Sequence, residues 1–440
     1  MKILQPREAV RPLSLIGRSA IALSDQALLS AVNFLVTILL IKTVPKYEYG
    51  YYSIAFSISL FLVSVQNAIV NAPLTVLLVS KRGEERHRYP AGLGMGQLLV
   101  VLPLATISLL IVGLLYLLGL DSPIASIAGA LSLASIGILL REFLRGYYFA
   151  EESPTKVLQL DIRYAMIYVG LIGITAVSIT VTVPAVLLHM GLAGLVVSAS
   201  FWIARRRYVT LDSIREGYRE NWEFGKWALI GVCVTHVQSY GYLYLLGSML
   251  GGGAVGDVSA SRLLLMPFVL LEAGWGKVAM PHGSRLREER DLARFLRELI
   301  AATLAISIFI AVYAWLLVLV AEPLGRFIFT DQYGKATELV FFWGLIHIMH
   351  FIALNAGYGL QVMREFRVLA KINAITMLLT LSFAYFLIGH DGIRGALLSL
   401  MLGHASLAIP LWYLFVSRVL AENRRKLPKG PTVTSRSMNG

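Results

Sequence analysis

Residues 80–90 read SKRGEERHRYP, and a variant of the same charged phrase returns as SRLREERDLARF at 284–295, with Glu84-Glu85-Arg86 matched by Glu288-Glu289-Arg290. Each phrase interrupts an otherwise oily stretch of chain, following one long apolar run and preceding another. A chain would show this recurrence if one six-helix membrane unit occurred twice and the charged phrase marked the same turn in each copy.

The composition supports a membrane protein. The 440 residues are 57% hydrophobic and 15% charged, with a mean hydropathy of +0.70, a balance that one water-soluble core could not hide. The formal charge of +13 does not point to nucleic acid, because the basic residues form short clusters between apolar runs, where a bias to one side of a membrane explains them. Cys233 is the only cysteine, which excludes an intrachain disulfide or a thiolate metal site. No GxxxxGK[ST] phosphate loop is present, and His347 and His350, three apart, lack a carboxylate at HExxH spacing, so neither ATP hydrolysis, a cofactor nor a metal is expected. The N-terminal MKILQPREAVRPLSLIGRS has no small-residue cleavage site and reads as a retained cytoplasmic lead-in.

A helix needs about 20 apolar residues to cross the hydrocarbon. Twelve runs meet that length, near 21–44, 52–79, 91–119, 124–144, 164–182, 184–204, 224–250, 257–281, 299–320, 336–361, 368–388 and 393–416. The stretch 164–204 is nearly unbroken, and Pro184, after the β-branched run Thr180-Val181-Thr182-Val183, marks its hairpin point. With the N-terminus inside, 33 of the 39 Lys and Arg residues fall in cytoplasmic segments, which orients both termini to the cytoplasm. The exceptions are Lys42, Lys46, Arg326, Lys335 and Arg394 on the opposite side, and Arg262 inside a helix.

The expected fold is an all-α polytopic membrane protein of about 12 transmembrane helices, arranged as two parallel six-helix lobes around a central cavity. The lobes are expected over residues 1–215 and 216–420, with a disordered basic cytoplasmic tail over 421–440. A second landmark agrees: EYGYYSIAFS at 48–57 resembles AVGDVSASRL at 254–263, with Gly50 and Gly256 206 residues apart. A weaker echo pairs Arg141-Glu142-Phe143 with Arg364-Glu365-Phe366.

Three stretches carry a family resemblance: SDQALLSAVNFLVTILLIKTVPKYEYGYYSIAFS (24–57), REFLRGYYFAEESPTKVLQLD (141–161) and LYLLGSMLGGGAVGDVSASRLL (243–264). In these the chain resembles the polysaccharide-exporter branch of the multidrug/oligosaccharidyl-lipid/polysaccharide flippase superfamily, which includes the O-antigen flippases. The resemblance implies alternating access in the cell inner membrane. It also implies movement of an undecaprenyl-diphosphate-linked glycan from the cytoplasmic to the periplasmic leaflet, in company with membrane lipids and with a polysaccharide polymerase and glycosyltransferases. It implies no enzymatic activity and carries over no invariant signature.

Ionisable groups inside spans are costly and point to function by default. Arg262 is the sharpest case, a diphosphate or carboxylate contact unless it snorkels to the nearby interface. Glu272 lies deeper in the same span, with Lys277 five residues on, as a local ion pair or a proton-sensitive group. Gln26 and Asn33 are expected to share one face of the first span, and Asn67 and Asn71 one face of the second, beside Gln66 and the kinking Pro73. These amides either tie helices together or line a cavity. The seventh span offers His236 and Gln238, followed by alternating Tyr240, Tyr242 and Tyr244, which read as an interfacial belt or a sugar-stacking surface. Arg141 and Arg145, four apart, either meet a diphosphate on entry or anchor the helix to anionic headgroups.

Two rivals stand beside the flippase. A cation-coupled multidrug exporter should carry membrane-buried acids, and the deep acids read from sequence amount to Glu272 and Asp25. A membrane O-antigen polymerase or ligase should carry large periplasmic loops, and the longest outer segment, 321–335, is short.

Overall fold

A peptide backbone in hydrocarbon finds no water for its N–H and C=O groups, so each apolar run has to close its hydrogen bonds as a helix. The computed structural model describes residues 15–119, 122–334 and 336–426, and contains no strand among them. Its helices are α1 (Leu15–Thr43), α2 (Lys46–Gln66), α3 (Ala72–Leu77), α4 (Glu85–Gly96), α5 (Leu98–Leu117), α6 (Pro123–Ala150), α7 (Pro154–Ser178), α8 (Val183–Arg205), α9 (Leu211–Leu250), α10 (Gly252–Arg262), α11 (Met266–Glu288), α12 (Leu292–Ile328), α13 (Val340–Val362) and α14 (Phe366–Lys426). Of the tail expected over 421–440, residues 421–426 continue α14 and the rest lies outside the described residues, as does the N-terminal lead-in through residue 14.

Among the described residues, ten helical stretches are long and apolar enough to cross a bilayer, and a bent pair, Gly252–Val269 with Gly274–Glu288, makes an eleventh. The twelfth is contained in α14. Gly392 interrupts that helix at φ 59° and ψ −128°, a conformation that glycine alone adopts readily. Beyond it the chain returns on itself: a Cβ on Gly395 would meet the Leu387 carbonyl, and one on Gly403 would meet the Thr380 side chain. α14 is therefore an antiparallel helical hairpin, matching the expected spans 368–388 and 393–416. The expected break in 164–204 is also present. α7 ends at Ser178, and α8 starts with the Thr182 side chain accepting from the Ala185 N–H at 3.4 Å and Pro184 in the first turn.

The glycine landmark is structural. α2 and α10 begin 206 residues apart, and their glycines pack against each other, since a Cβ on Gly50 would overlap the Gly252 carbonyl and one on Gly256 would press on the Lys46 carbonyl. Here Lys46 Nζ pairs with Asp257 at 3.1 Å, and the Lys46 backbone N–H donates to Gln332 Oε1 at 3.0 Å. The Arg-Glu-Phe echo is not structural. Arg141 lies deep within α6, whereas Arg364 is the left-handed residue, φ 64°, of the turn between α13 and α14. Its geometric counterpart is Glu152, φ 52°, in the turn between α6 and α7; in both turns the next residue's N–H reaches back to close the helix end.

The described residues pack as two compact units. The first comprises the residues up to His236 together with Leu250–Ala260 and Gly325–Gly334; the second comprises Val237–Met249, Ser261–Leu324 and the residues after Lys335. The Gly50, Lys46 and Gln332 contacts give the reason that the two short segments join the first unit. Packing is a different criterion from the division at 215/216, which remains a proposal about repeats. The first unit is centred on Leu74, Leu93, Phe143, Leu144 and Trp202, and the second on Leu286, Phe295, Leu360, Leu411 and Phe415. α5 buries almost nothing, with Leu110 and Leu117 68% and 82% exposed, as expected of a helix that faces lipid on most sides.

Candidate functional site

Each unit contains a polar cluster inside its helical packing. In the first unit, Arg141 and Arg145 lie four apart on α6 and meet carboxylates from three directions. Asp161 on α7 accepts from Arg141 Nη2 at 2.6 Å and from Arg145 Nε at 2.7 Å. Asp25 on α1 accepts from Arg145 Nη2 at 2.8 Å, and Glu142 accepts from both guanidinium groups at 3.0 and 2.9 Å. The Arg141 guanidinium also lies over the Tyr164 ring, 3.7 Å from its centroid. Two arginines here face three carboxyl groups. Arg141 and Arg145 thus belong to an ion network within the first unit, and substrate entry and headgroup anchoring stay proposals for them.

The amides nearby hold backbone together. Gln66 donates to Gln97 Oε1 and to the Leu139 carbonyl, both at 2.7 Å, and Asn71 donates to the Glu142 carbonyl at 3.3 Å. Residues 67–71 form a π-helical turn ahead of Pro73, which has no N–H to offer the Ile69 carbonyl. Asn221 of α9 fills that need, donating to the Ile69 and Val70 carbonyls at 3.0 and 3.1 Å. Asn67 and Gln26 are exposed and Asn33 is half-buried.

The second unit encloses a cavity of about 200 Å³. α9 contributes Tyr240 and Tyr242, α10 contributes Arg262, α11 Glu272, α13 Trp343, His347 and His350, and α14 His404. Trp343, His347 and His350 follow a helical spacing of four and three, which places them on one face of α13. Pro267, in the first turn of α11, ends the α10 direction just after Arg262. The Arg262 guanidinium lies 5.5 Å from the Trp343 ring centroid, and Trp343 is itself fixed by its N–H bond to Ser261 Oγ at 3.0 Å. Arg262 makes no ion pair with a carboxylate among the described residues. Glu272 faces two imidazoles instead, His347 Nδ1 at 3.3 Å and His350 Nε2 at 3.6 Å. The His350 and His404 rings meet edge to face at 4.7 Å.

The structure places Arg262 and Glu272 on the wall of one cavity, whereas Lys277, the expected local partner of Glu272, is exposed and not paired with it. Gln238 is buried and donates to Thr376 Oγ1 at 3.2 Å, and His236, packed on Phe61 at 4.7 Å, belongs to the first unit. Tyr240 and Tyr242 line the cavity rather than forming only a belt. Three participants went unread in the sequence: Trp343, His404 and the acid Asp161. The available signal for the last two was that a titratable group within a span is expensive.

Residues 127–338 match a protein-family model described as "Polysaccharide biosynthesis protein". No curated protein matches the chain by sequence. Among solved structures, the chain is similar to a multidrug resistance MATE family transporter of the MOP superfamily in an inward-facing conformation, with a TM-score of 0.71 and 13% identity over 93% of this chain and 99% of that one. For an outward-facing conformation of a MATE family transporter the values are 0.62 and 14% over 92% and 95%. A MOP superfamily transporter from Pyrococcus furiosus, titled for the reverse polarity of its binding pocket, gives 0.63 and 13% over 92% and 95%. Such identities speak to fold, and the fold is the all-α polytopic architecture of the MOP-superfamily transporters, here combined with a polysaccharide-biosynthesis family match across residues 127–338.

Proposed function

We propose that this chain is a non-enzymatic membrane transporter that flips a lipid-linked oligosaccharide from the cytoplasmic to the periplasmic leaflet of the inner membrane by alternating access. In this proposal the two six-helix repeats, 1–215 and 216–420, move against each other, and both termini are cytoplasmic. The observation that carries the reading is Arg262, a cation without a carboxylate partner in a cavity walled by Trp343 and histidines. A half-buried arginine with no carboxylate in direct contact keeps donors available to an anion, and its planar donors suit phosphate oxygens. The cavity matches a diphosphate with its first sugar in size, not a whole glycan, so Arg262 recognises the headgroup while the polyprenyl tail stays in lipid. The polysaccharide-biosynthesis family match supports a glycan-linked substrate. The polymerase and glycosyltransferases acting on the same glycan are its proposed functional partners.

The test is deletion of the gene, followed by assay of lipid-linked repeat units with a membrane-impermeant glycan-modifying reagent. Units accumulating on the cytoplasmic leaflet support the proposal. Normal surface glycan with altered dye efflux favours the second reading, a cation-coupled multidrug exporter. That reading draws on the MATE neighbours and on the carboxyl groups of the Asp25, Glu142 and Asp161 cluster.

A further inference from the structure

The cavity of the second unit holds more titratable groups than an arginine site needs. Facing it are Tyr240 and Tyr242 from α9, Arg262 from α10, Glu272 from α11, His347 and His350 from α13, and His404 from α14. Tyr358, further along α13, feels the Glu272 charge, and the hydroxyl of Tyr313 on α12 donates to the Leu264 carbonyl. With the imidazoles neutral, Arg262 and Glu272 cancel and the cavity carries no net charge. A dianion entering so enclosed a space is held firmly only if positive charge arrives with it.

The ring nitrogens are placed to supply that charge. Glu272 occupies His347 Nδ1, which leaves His347 Nε2 buried without a hydrogen-bond partner, on a residue only 5% exposed. His404 Nδ1 is likewise buried and unpartnered. A neutral imidazole has one donor and one acceptor, and a protonated one has two donors. Protonation therefore gives each ring a second N–H and adds positive charge to the wall that also carries Arg262.

We infer that this cavity is a proton-linked anion site: a diphosphate diester binds at Arg262 together with protons taken up by the His347, His350 and His404 cluster. The inference rests on the headgroup reading above and adds the proton as a co-ligand. No bond is made or broken, and the protons come from the aqueous side open at the time.

The probe is P1,P2-dimethyl diphosphate, a diester whose charge stays constant across the imidazole range, so any proton taken up belongs to the protein. The full-length protein in lipid nanodiscs is titrated calorimetrically at about pH 6 and about pH 8, in buffers of different ionisation heat. Expected is binding tighter at the lower pH by about tenfold or more, with proton uptake, as linkage requires. In His350→Gln and His404→Gln, which keep hydrogen-bonding capacity, both the pH dependence and the uptake should shrink. Equal affinity at both pH values without proton uptake overturns the inference and leaves the headgroup reading standing. Unchanged uptake in both variants also overturns it. Absence of binding at either pH in the intact protein overturns the headgroup reading itself.

Discussion

Arg145 and Arg262 are both cations within membrane-spanning helices, and the chain treats them in opposite ways. Arg145 is met by Asp25, Glu142 and Asp161, all within 2.9 Å, and every one of its guanidinium nitrogens is engaged. Arg262 has an aromatic face, a cavity and, among the described residues, no carboxylate in ion-pair contact. An arginine ringed by three carboxyl groups offers little uncompensated charge to an anion, so its role is to hold α1, α6 and α7 together. A half-buried arginine within a span and without a carboxylate in contact is a cost that folding alone does not explain, which is why the second cluster is the candidate for binding. Position inside a span does not separate the two; the partners do.

The largest effect expected from this contrast is at the first cluster. Arg141→Ala leaves Asp161 and Glu142 buried with too little positive charge and should destabilise the protein by about 3–5 kcal/mol, read as lost abundance and a lower Tm in detergent. If Arg141→Ala keeps its Tm and loses only export, the cluster is functional and the contrast fails. Next, Arg262→Ala should reduce export by roughly 10–100-fold, the worth of a charged hydrogen bond, with Tm nearly unchanged. Arg262→Lys should recover only part of that loss, because an ammonium lacks the planar fork. A smaller effect is expected of Trp343→Phe, which loses the bond to Ser261 and part of the ring beneath Arg262. About 1 kcal/mol of stability and several-fold in export should go together. Lys277→Gln marks the lower end. It is exposed and unpaired with Glu272, so stability should stay within about 0.5 kcal/mol and export should be normal; a strong defect would show that the site extends along α11.

Much of the architecture was legible because a span announces itself by length and apolarity alone. The repeat of Gly50 and Gly256 was legible for a related reason: a close helix crossing tolerates only the smallest residue, and both helices share that crossing. The Arg-Glu-Phe echo misled because three residues carry no information about whether they sit in a helix or a turn. The positive-inside bias similarly placed Lys46 and Arg394 as exceptions without showing that Asp257 and Glu338 pair with them, at 3.1 and 3.3 Å.

The chain's own order of residues determined that it crosses a membrane as helices, because the backbone of an apolar run has no other way to satisfy its hydrogen bonds there. It also determined that titratable groups would be few inside the spans, and therefore worth naming. Which of them face one another was decided only by tertiary structure. Glu272 and His347 are 75 residues apart, and Asp25 and Arg145 are 120 apart. Their pairing follows from how α1, α6, α7, α11 and α13 rotate about their axes to pack, which no spacing along one helix records.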